Sequence, residues 1–472
     1  MMPNQQSEND GAQPAQADKS AGIKILPIIT IIIVVIIMVG GIVFLANRSQ
    51  TTNSNTNTES AQTAEKNKYA EFIAETYDVI QKNFWDVLID ENLFKLYKLG
   101  TEKIKEEMPE IQIPETIASE DKGGLKEMVT YIVNNLEDDQ KKYYSERLAA
   151  IVINNLTPFS RSKLYTTRGQ QELTNRVYNI DPAANLYDAL GVSASASAKE
   201  ITQTIEQQNK ELNQLIEDES QTAEAKEEAQ QKLALVNRAQ ETLLNPDDRL
   251  KYDEQGIEST VYANFIGSTI LHLKIKQLSP LTFDDFQKEM NKIDEEANNS
   301  LDKLILDFRG NVGGSFDILP NFLGLFIGSN QYAYEWYQQG QYAPFKTTAN
   351  KLNSLARYKE IVILADQDTQ SSAEVMIFTL KKYNIGTLVG TTTKGWGTIE
   401  KVFPLENQIT PDETYSILLV HHVTIGDNSQ PIESHGIEPM VNMASEDWQA
   451  QLAEYIDVSS LKNAVKDIWF EE

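Results

Sequence analysis

The side chain most obviously set up for chemistry is the hydroxyl of Ser371, in the run Ser371-Ser372-Ala373-Glu374. A serine at the mouth of a helix, just after a buried strand, presents its hydroxyl above a sheet, where helix N-terminal amides can stabilise an oxyanion. The same four residues also spell a capping box, in which Ser371 would serve structure alone. The flanking elements fit either role. Ile361-Val362-Ile363-Leu364-Ala365 is a continuous apolar, β-branched run, as expected of a strand buried on both faces. A polar loop at 366–370 follows, and then an amphipathic helix to about Tyr383, ended by Asn384-Ile385-Gly386. Thr387-Leu388-Val389-Gly390 begins a second buried strand. The unit therefore reads β-α-β, with a parallel strand pair and a right-handed crossover.

Three pieces of the chain extend this picture. Leu304-Ile305-Leu306-Asp307-Phe308-Arg309-Gly310-Asn311-Val312-Gly313-Gly314 is a strand followed by a glycine-rich loop, and His435-Gly436-Ile437-Glu438-Pro439 closes the region. Together with Ser371–Glu374, in this order and spacing, residues 257–445 resemble the C-terminal processing peptidases, or tail-specific proteases. That resemblance implies a crotonase-like β/α spiral and a Ser–Lys dyad in which Ser371 is the nucleophile. It also implies that amides near Gly313, Gly314 and Ser372 hold the oxyanion, with Arg309 and Asn311 in the loop that forms the groove.

The dyad departs from the family pattern. After its second strand the family carries G-x-x-T-x-G-K-G-x-x-Q, whose lysine is the general base. Here the stretch is Gly390-Thr391-Thr392-Thr393-Lys394-Gly395-Trp396-Gly397-Thr398-Ile399-Glu400. Trp396 stands at the lysine position and Glu400 at the glutamine position. An indole N–H donates a hydrogen bond but accepts no proton, and a serine without a base is a weak nucleophile. The resemblance thus leads to a peptidase fold with impaired hydrolysis. The alternative is an active enzyme with Lys394 as a displaced base, since residues two apart in a strand share a face. Lys394 would then need desolvation to lower its pKa. A third possibility is a non-enzymatic peptide-binding or assembly scaffold.

Composition narrows the partners. The chain has 472 residues, a net charge of −27 and no cysteine. No basic stripe is present to neutralise phosphates, which argues against nucleic acid. Without cysteine there are no disulfides and no thiolate metal sites. The four histidines, His272, His421, His422 and His435, are too scattered for a metal site, and no cofactor is expected. His272 reads as a strand-surface residue, and neighbours in a strand such as His421 and His422 should point to opposite faces.

From the N-terminus, residues 1–24 read as disordered and 25–46 as an uncharged, Ile/Val-rich run long enough to cross a bilayer. Lys19 and Lys24 precede that run and Arg48 follows it, so a single-pass anchor is expected, with the bulk of the chain outside the cytoplasm at the cell membrane. Residues 47–66 read as a polar linker. Residues 67–180 show helical periodicity, with Phe72, Ile73, Tyr77, Ile80, Phe84 and Trp85 marking one face. Leu156-Thr157-Pro158-Phe159-Ser160 resembles the L-D-P-H-S stretch of the same peptidases.

Where that family carries a PDZ domain, residues 181–256 resemble a J-domain. Leu186-Tyr187-Asp188-Ala189-Leu190-Gly191-Val192 and Asn245-Pro246-Asp247-Asp248-Arg249-Leu250-Lys251-Tyr252-Asp253 carry the likeness, with long helices expected over 198–218 and 222–244. The His-Pro-Asp needed to stimulate a chaperone ATPase falls on Asn213-Gln214-Leu215. The helix that is basic in working J-domains carries Lys199 and Lys210 against Glu200, Glu206 and Glu211. The module is therefore degenerate.

The fold class expected is α/β: a crotonase-like core over 257–472, a helical N-terminal domain, an inserted J-like helical domain and a single transmembrane helix. The partners expected are a polypeptide, the membrane through the anchor and, from the helical modules, a second copy of the chain.

Overall fold

The computed structural model describes residues 67–471 except 219, 297–299 and 427–429, all within one unit, Glu65–Glu472. Helix α1 (Lys68–Asn83) starts where the Asn67 side chain accepts hydrogen bonds from the Tyr69 and Ala70 amides. Its Phe72, Ile73, Tyr77 and Ile80 are fully buried, as the periodicity requires. Helices α2 (Asp90–Glu107), α3 (Lys122–Asn134) and α4 (Asp138–Asn154) complete a bundle. This bundle shares one apolar core with Tyr415, Ile417, Leu419 and Val420 of a strand far downstream, so the N-terminal helices pack onto the sheet.

Strand β1 (Lys163–Thr166) joins that sheet from within the stretch expected to be helical, and α5 (Thr167–Val177) follows it. Helix α6 (Leu186–Leu190) leads into the inserted module. Its long helices are α7 (Ala198–Glu217) and α8 (Ala223–Leu243), and α9 (Pro246–Gln255) completes it. Leu186, Tyr187, Leu190, Ile201, Ile205, Val236, Ala239 and Leu243 form its own small core. An isolated antiparallel bridge, Ile180 to Ile257, pins the entry and exit of this insertion together.

The remainder is α/β. It contains β2 (Val261–Ile266), β3 (Ile270–Ile275), α10 (Thr282–Glu296), β4 (Lys303–Asp307) and α11 (Leu319–Ile327). A hairpin, β5 (Tyr332–Gln338) and β6 (Gln341–Lys346), precedes β7 (Glu360–Ala365), α12 (Ser372–Lys382) and β8 (Thr387–Gly390). Then come β9 (Thr398–Pro404), β10 (Tyr415–Ile425), β11 (Val441–Asn442), α13 (Trp448–Tyr455) and α14 (Ser459–Glu471). The six-stranded sheet runs β11-β8-β7-β4-β3-β2 and is parallel except for β2. Period-two alternation sends Leu304, Leu306 and Ile363 to a core shared with α10, α11 and α12. Ile305, Val362 and Leu364 go to a second core under α13 and α14. Burial on both faces explains the unbroken apolar runs in the sequence. In the second, antiparallel sheet, β10 pairs with β1 and β5 on one side and with β9 on the other. The β-α-β unit around Ser371 is present, with Ile363 opposite Leu388 in the parallel β7–β8 pair.

Several expectations are corrected. The fold includes no transmembrane helix among the described residues: none is long and apolar enough to cross a membrane. The run at 25–46 lies outside the described residues. His272 is buried on β3, with Nε2 3.1 Å from Asp307 Oδ2. His421 and His422 do not point to opposite faces. A register shift between Val420 and His422 brings their Nδ1 atoms to 3.0 Å and their rings to 4.2 Å. Phe403 stacks on His421 and Trp336 lies against His422. Burial, and then the nearby Lys401 charge, pull the His421 pKa down to about 4. Burial, His421 and Lys401 bring His422 to about 3. The aromatic stretch after α11 forms the β5–β6 hairpin.

Candidate active site

Ser371 sits between β7 and α12 with φ 59° and ψ −130°, a conformation rare for a residue with a side chain. Its hydroxyl makes no cap hydrogen bond. The Glu374 amide donates to the Ser371 carbonyl oxygen at 2.9 Å, while the Ser371 amide donates to Glu374 Oε2 at 2.9 Å. The glutamate side of the box is therefore a hydrogen bond, while on the serine side the Ser371 hydroxyl only approaches the Glu374 amide. A strained serine at a strand-to-helix turn is the arrangement that exposes a nucleophile.

Gly313 closes on this turn. A Cβ there would lie 2.8 Å from Ser371 Cβ and 3.0 Å from the Ser372 amide nitrogen, and φ is +79°. Only glycine fits. A Cβ on Gly314, with φ +144°, would come 2.3 Å from the Leu278 carbonyl oxygen. Asn311, fully buried, sets the loop: its Nδ2 donates to the Ile275 carbonyl at 2.6 Å and its Oδ1 accepts the Gly313 amide at 2.8 Å. Its carbonyl also accepts the Gln370 amide at 2.9 Å. With the Gly313 amide engaged, the amides of Gly314 and Ser372 are the donors left for an oxyanion.

The stretch that carries the dyad position is held by its backbone. Glu374, fully buried, accepts the Gly395 and Trp396 amides, both at 2.7 Å, and the Thr393 hydroxyl at 2.5 Å. Burial raises the Glu374 pKa, and these hydrogen bonds with the Ser371 amide oppose the rise. The next amide, Gly397, donates to Glu433 Oε2 at 2.8 Å. Three successive amides are thus captured by two carboxylates.

The Trp396 side chain is equally engaged. Indole Nε1 donates to Glu400 Oε1 at 3.1 Å, and Glu400 also accepts the Thr398 hydroxyl at 2.6 Å. Burial raises the Glu400 pKa against these bonds. The guanidinium of Arg161 lies over the indole, 3.5 Å from its centroid, and donates to Glu433 Oε1 at 3.0 Å. Lys394 is exposed; its amide donates to the Thr369 carbonyl at 3.0 Å. Arg309 serves another purpose. It clamps Asp307 through Nε and Nη2 and donates from Nη1 to the Ile468 carbonyl at 2.8 Å, tying down α14. Burial alone would raise the Asp307 pKa, but His272 and Arg309 hold it down to about 2.

The structure therefore gathers Ser371, Ser372, Asn311, Gly313 and Gly314 at one place. Trp396 and Glu400 adjoin it through Glu374, while Arg309 is engaged elsewhere. Arg161, Glu374 and Glu433 are neighbours of this place that the sequence did not assign to the site. Glu374 was visible as the fourth residue of S-x-x-E. Arg161 and Glu433 carry no local signal.

Residues 269–443 match the family model Peptidase family S41. Among curated relatives, the carboxy-terminal processing protease CtpB of Bacillus subtilis (strain 168) is 24% identical over 212 residues, 42% of this chain and 40% of that protein. CtpA of the same organism is 27% identical over 206 residues, 43% of this chain and 41% of that protein. The carboxyl-terminal-processing protease of Synechocystis sp. is 27% identical over 141 residues, 30% of this chain and 31% of that protein. The chain thus spans under half the length of each. A solved photosystem II D1 C-terminal processing protease overlaps with a TM-score of 0.33 and 18% identity, covering 40% of this chain and 49% of that one. A putative peptidase from Parabacteroides merdae overlaps with a TM-score of 0.37 and 12% identity, covering 81% and 92%. These overlaps are too loose to bear on function. On the family match and the curated relatives, residues 269–443 are a peptidase family S41 domain, the family of the C-terminal processing peptidases.

Proposed function

We propose that this chain receives polypeptides in the groove beside Ser371 and hydrolyses them slowly or not at all. The carrying observation is the state of Trp396. Its amide is bound to Glu374, its Nε1 to Glu400, and its face lies under Arg161. The amide and indole N–H groups of Trp396 only donate and take no proton from a serine, and a guanidinium does not deprotonate in proteins. If attack occurs, the Ser371 hydroxyl gives its proton to water as its oxygen adds to a peptide carbonyl, whose C=O π pair moves onto the oxygen held by the Gly314 and Ser372 amides. Those parts stay in place whether or not a base is present, which favours retained binding with lost chemistry.

No observation favours the reading with Lys394 as base, because that side chain is exposed. Two measurements separate the readings: labelling by a serine-directed fluorophosphonate, and cleavage of an unstructured peptide library. The proposal expects neither in the wild type. Activity lost in both Ser371→Ala and Lys394→Ala would overturn it and assign Lys394 as the base.

A further inference from the structure

The inserted helical module meets the peptidase core along α9 and α10, and the contact is built from charge. Lys251 Nζ bonds both oxygens of Asp285, at 3.0 and 2.9 Å, with both side chains less than a fifth exposed. Lys288 reaches Asp247 at 2.9 Å, but both groups are largely exposed and add little. Between the helices lies a cavity of about 490 Å³ whose lining includes Asp247, Asp248, Asp284, Asp285 and Glu289. Asp248 is the group this arrangement leaves worst placed. It faces Lys251 on its own helix, Asp285, Lys288 and Glu289 on α10, and Ser259 on the segment leading into β2. Tyr262 stands behind Ser259, its hydroxyl donating to the Ser259 carbonyl at 2.5 Å. Tyr262 is itself influenced by Glu241 of α8, Glu258 and Asp248.

We propose that this seat is acid-responsive: protonation of Asp248 tightens the docking of the helical module against the peptidase core. An ionised Asp248 is partly desolvated and meets Asp285 and Glu289 as well as Lys251 and Lys288, in a cavity whose lining holds more carboxylates than lysines. A protonated one keeps its hydrogen bond to Ser259 and loses the repulsion. Burial first, with Asp285 and Glu289 adding to it and Ser259 and Lys251 opposing, lifts its pKa to about 6 in the docked state.

An undocked Asp248 would titrate near its ordinary value of 3.8. Docking therefore takes up a proton between about pH 4 and 6 and strengthens as pH falls through that window. Above pH 6 the docked state bears the ionised carboxylate in full. A rise from 3.8 to about 6 corresponds to roughly a hundredfold change in the docking equilibrium at most.

The test is hydrogen exchange of the full chain at pH 7.5 and 5.0, with intrinsic rates corrected for pH. It compares α9 amides in the wild type and in Asp248→Asn, which keeps the shape and a hydrogen bond to Ser259. At pH 7.5 the variant should be protected up to about a hundredfold more than the wild type, and by pH 5.0 that gap should narrow about tenfold. Equal protection at both pH values, or a less protected variant at pH 7.5, overturns the proposal. The wild type alone gives a second reading. Its α9 protection, referenced to α3 of the N-terminal bundle, should rise about tenfold from pH 7.5 to 5.0, and a flat ratio overturns the proposal.

Discussion

Ser371 is held in a backbone conformation that costs of order 1–3 kcal/mol for a residue with a side chain, so something must hold it there. Glu374 does, taking the Ser371 amide together with those of Gly395 and Trp396. One buried carboxylate therefore sets both the Ser371 turn and the backbone at 395–396. Glu374→Gln would put an NH₂ group among donors, and hydrogen bonds to charged groups contribute about 1.5–3 kcal/mol each. The Gly395 and Trp396 amides should then exchange with solvent at least tenfold faster. Unchanged exchange at both would mean that Glu374 is not the anchor. The sequence showed the S-x-x-E spacing but not this use of it, because the capping-box reading assigned the hydrogen bonding to the serine hydroxyl. The partners at 395 and 396 lie beyond any local pattern. Arg161 was equally illegible: its meeting with Trp396 and Glu433 depends on β1 joining the sheet beside β10.

At the scale of elements, the strands and helices around the site were readable, since buried parallel strands leave unbroken apolar runs and α12 has a clear start and stop. What the runs did not show was a polar cluster at their ends. Asp307 ends β4 and, with His272 and Arg309, holds α14 through the Ile468 carbonyl. Asp307→Asn leaves Arg309 buried with half its partner removed, which should destabilise the fold by about 3–5 kcal/mol at pH 7. A carboxyl held down to about 2 contributes stability above pH 4 that disappears as pH falls toward 2. The gap between variant and wild type in thermal unfolding should therefore close over that range. A gap that stays constant with pH would contradict the ion-pair account. The β10 bulge was invisible for a different reason: strict alternation predicts opposite faces for His421 and His422, and one extra residue cancels it. In the inserted module, Asn213-Gln214-Leu215 lies inside α7 and not in the turn between α7 and α8. The full chain should therefore leave the ATPase rate of a bacterial chaperone unchanged, and severalfold stimulation would refute this.

For the whole molecule, the N-terminal helices, the inserted module and the S41 domain are joined through packing and ion pairs and not through linkers alone. The bundle shares its core with β10. Arg161 reaches from the segment after the bundle to Trp396, and the module is held at α10 by Lys251 and Asp285. Replacing Trp396 by lysine alone should not restore a base. The new amine would meet the Glu400 carboxylate, which now accepts the indole N–H, and would remain protonated. Glu400→Gln removes that partner. A groove with its oxyanion donors intact and its base missing is distinguished by fluorophosphonate labelling of the wild type beside Trp396→Lys/Glu400→Gln. The account predicts no labelling of the wild type and labelling of the double variant that disappears when Ser371→Ala is added. Labelling of the wild type that is lost in Ser371→Ala would contradict it.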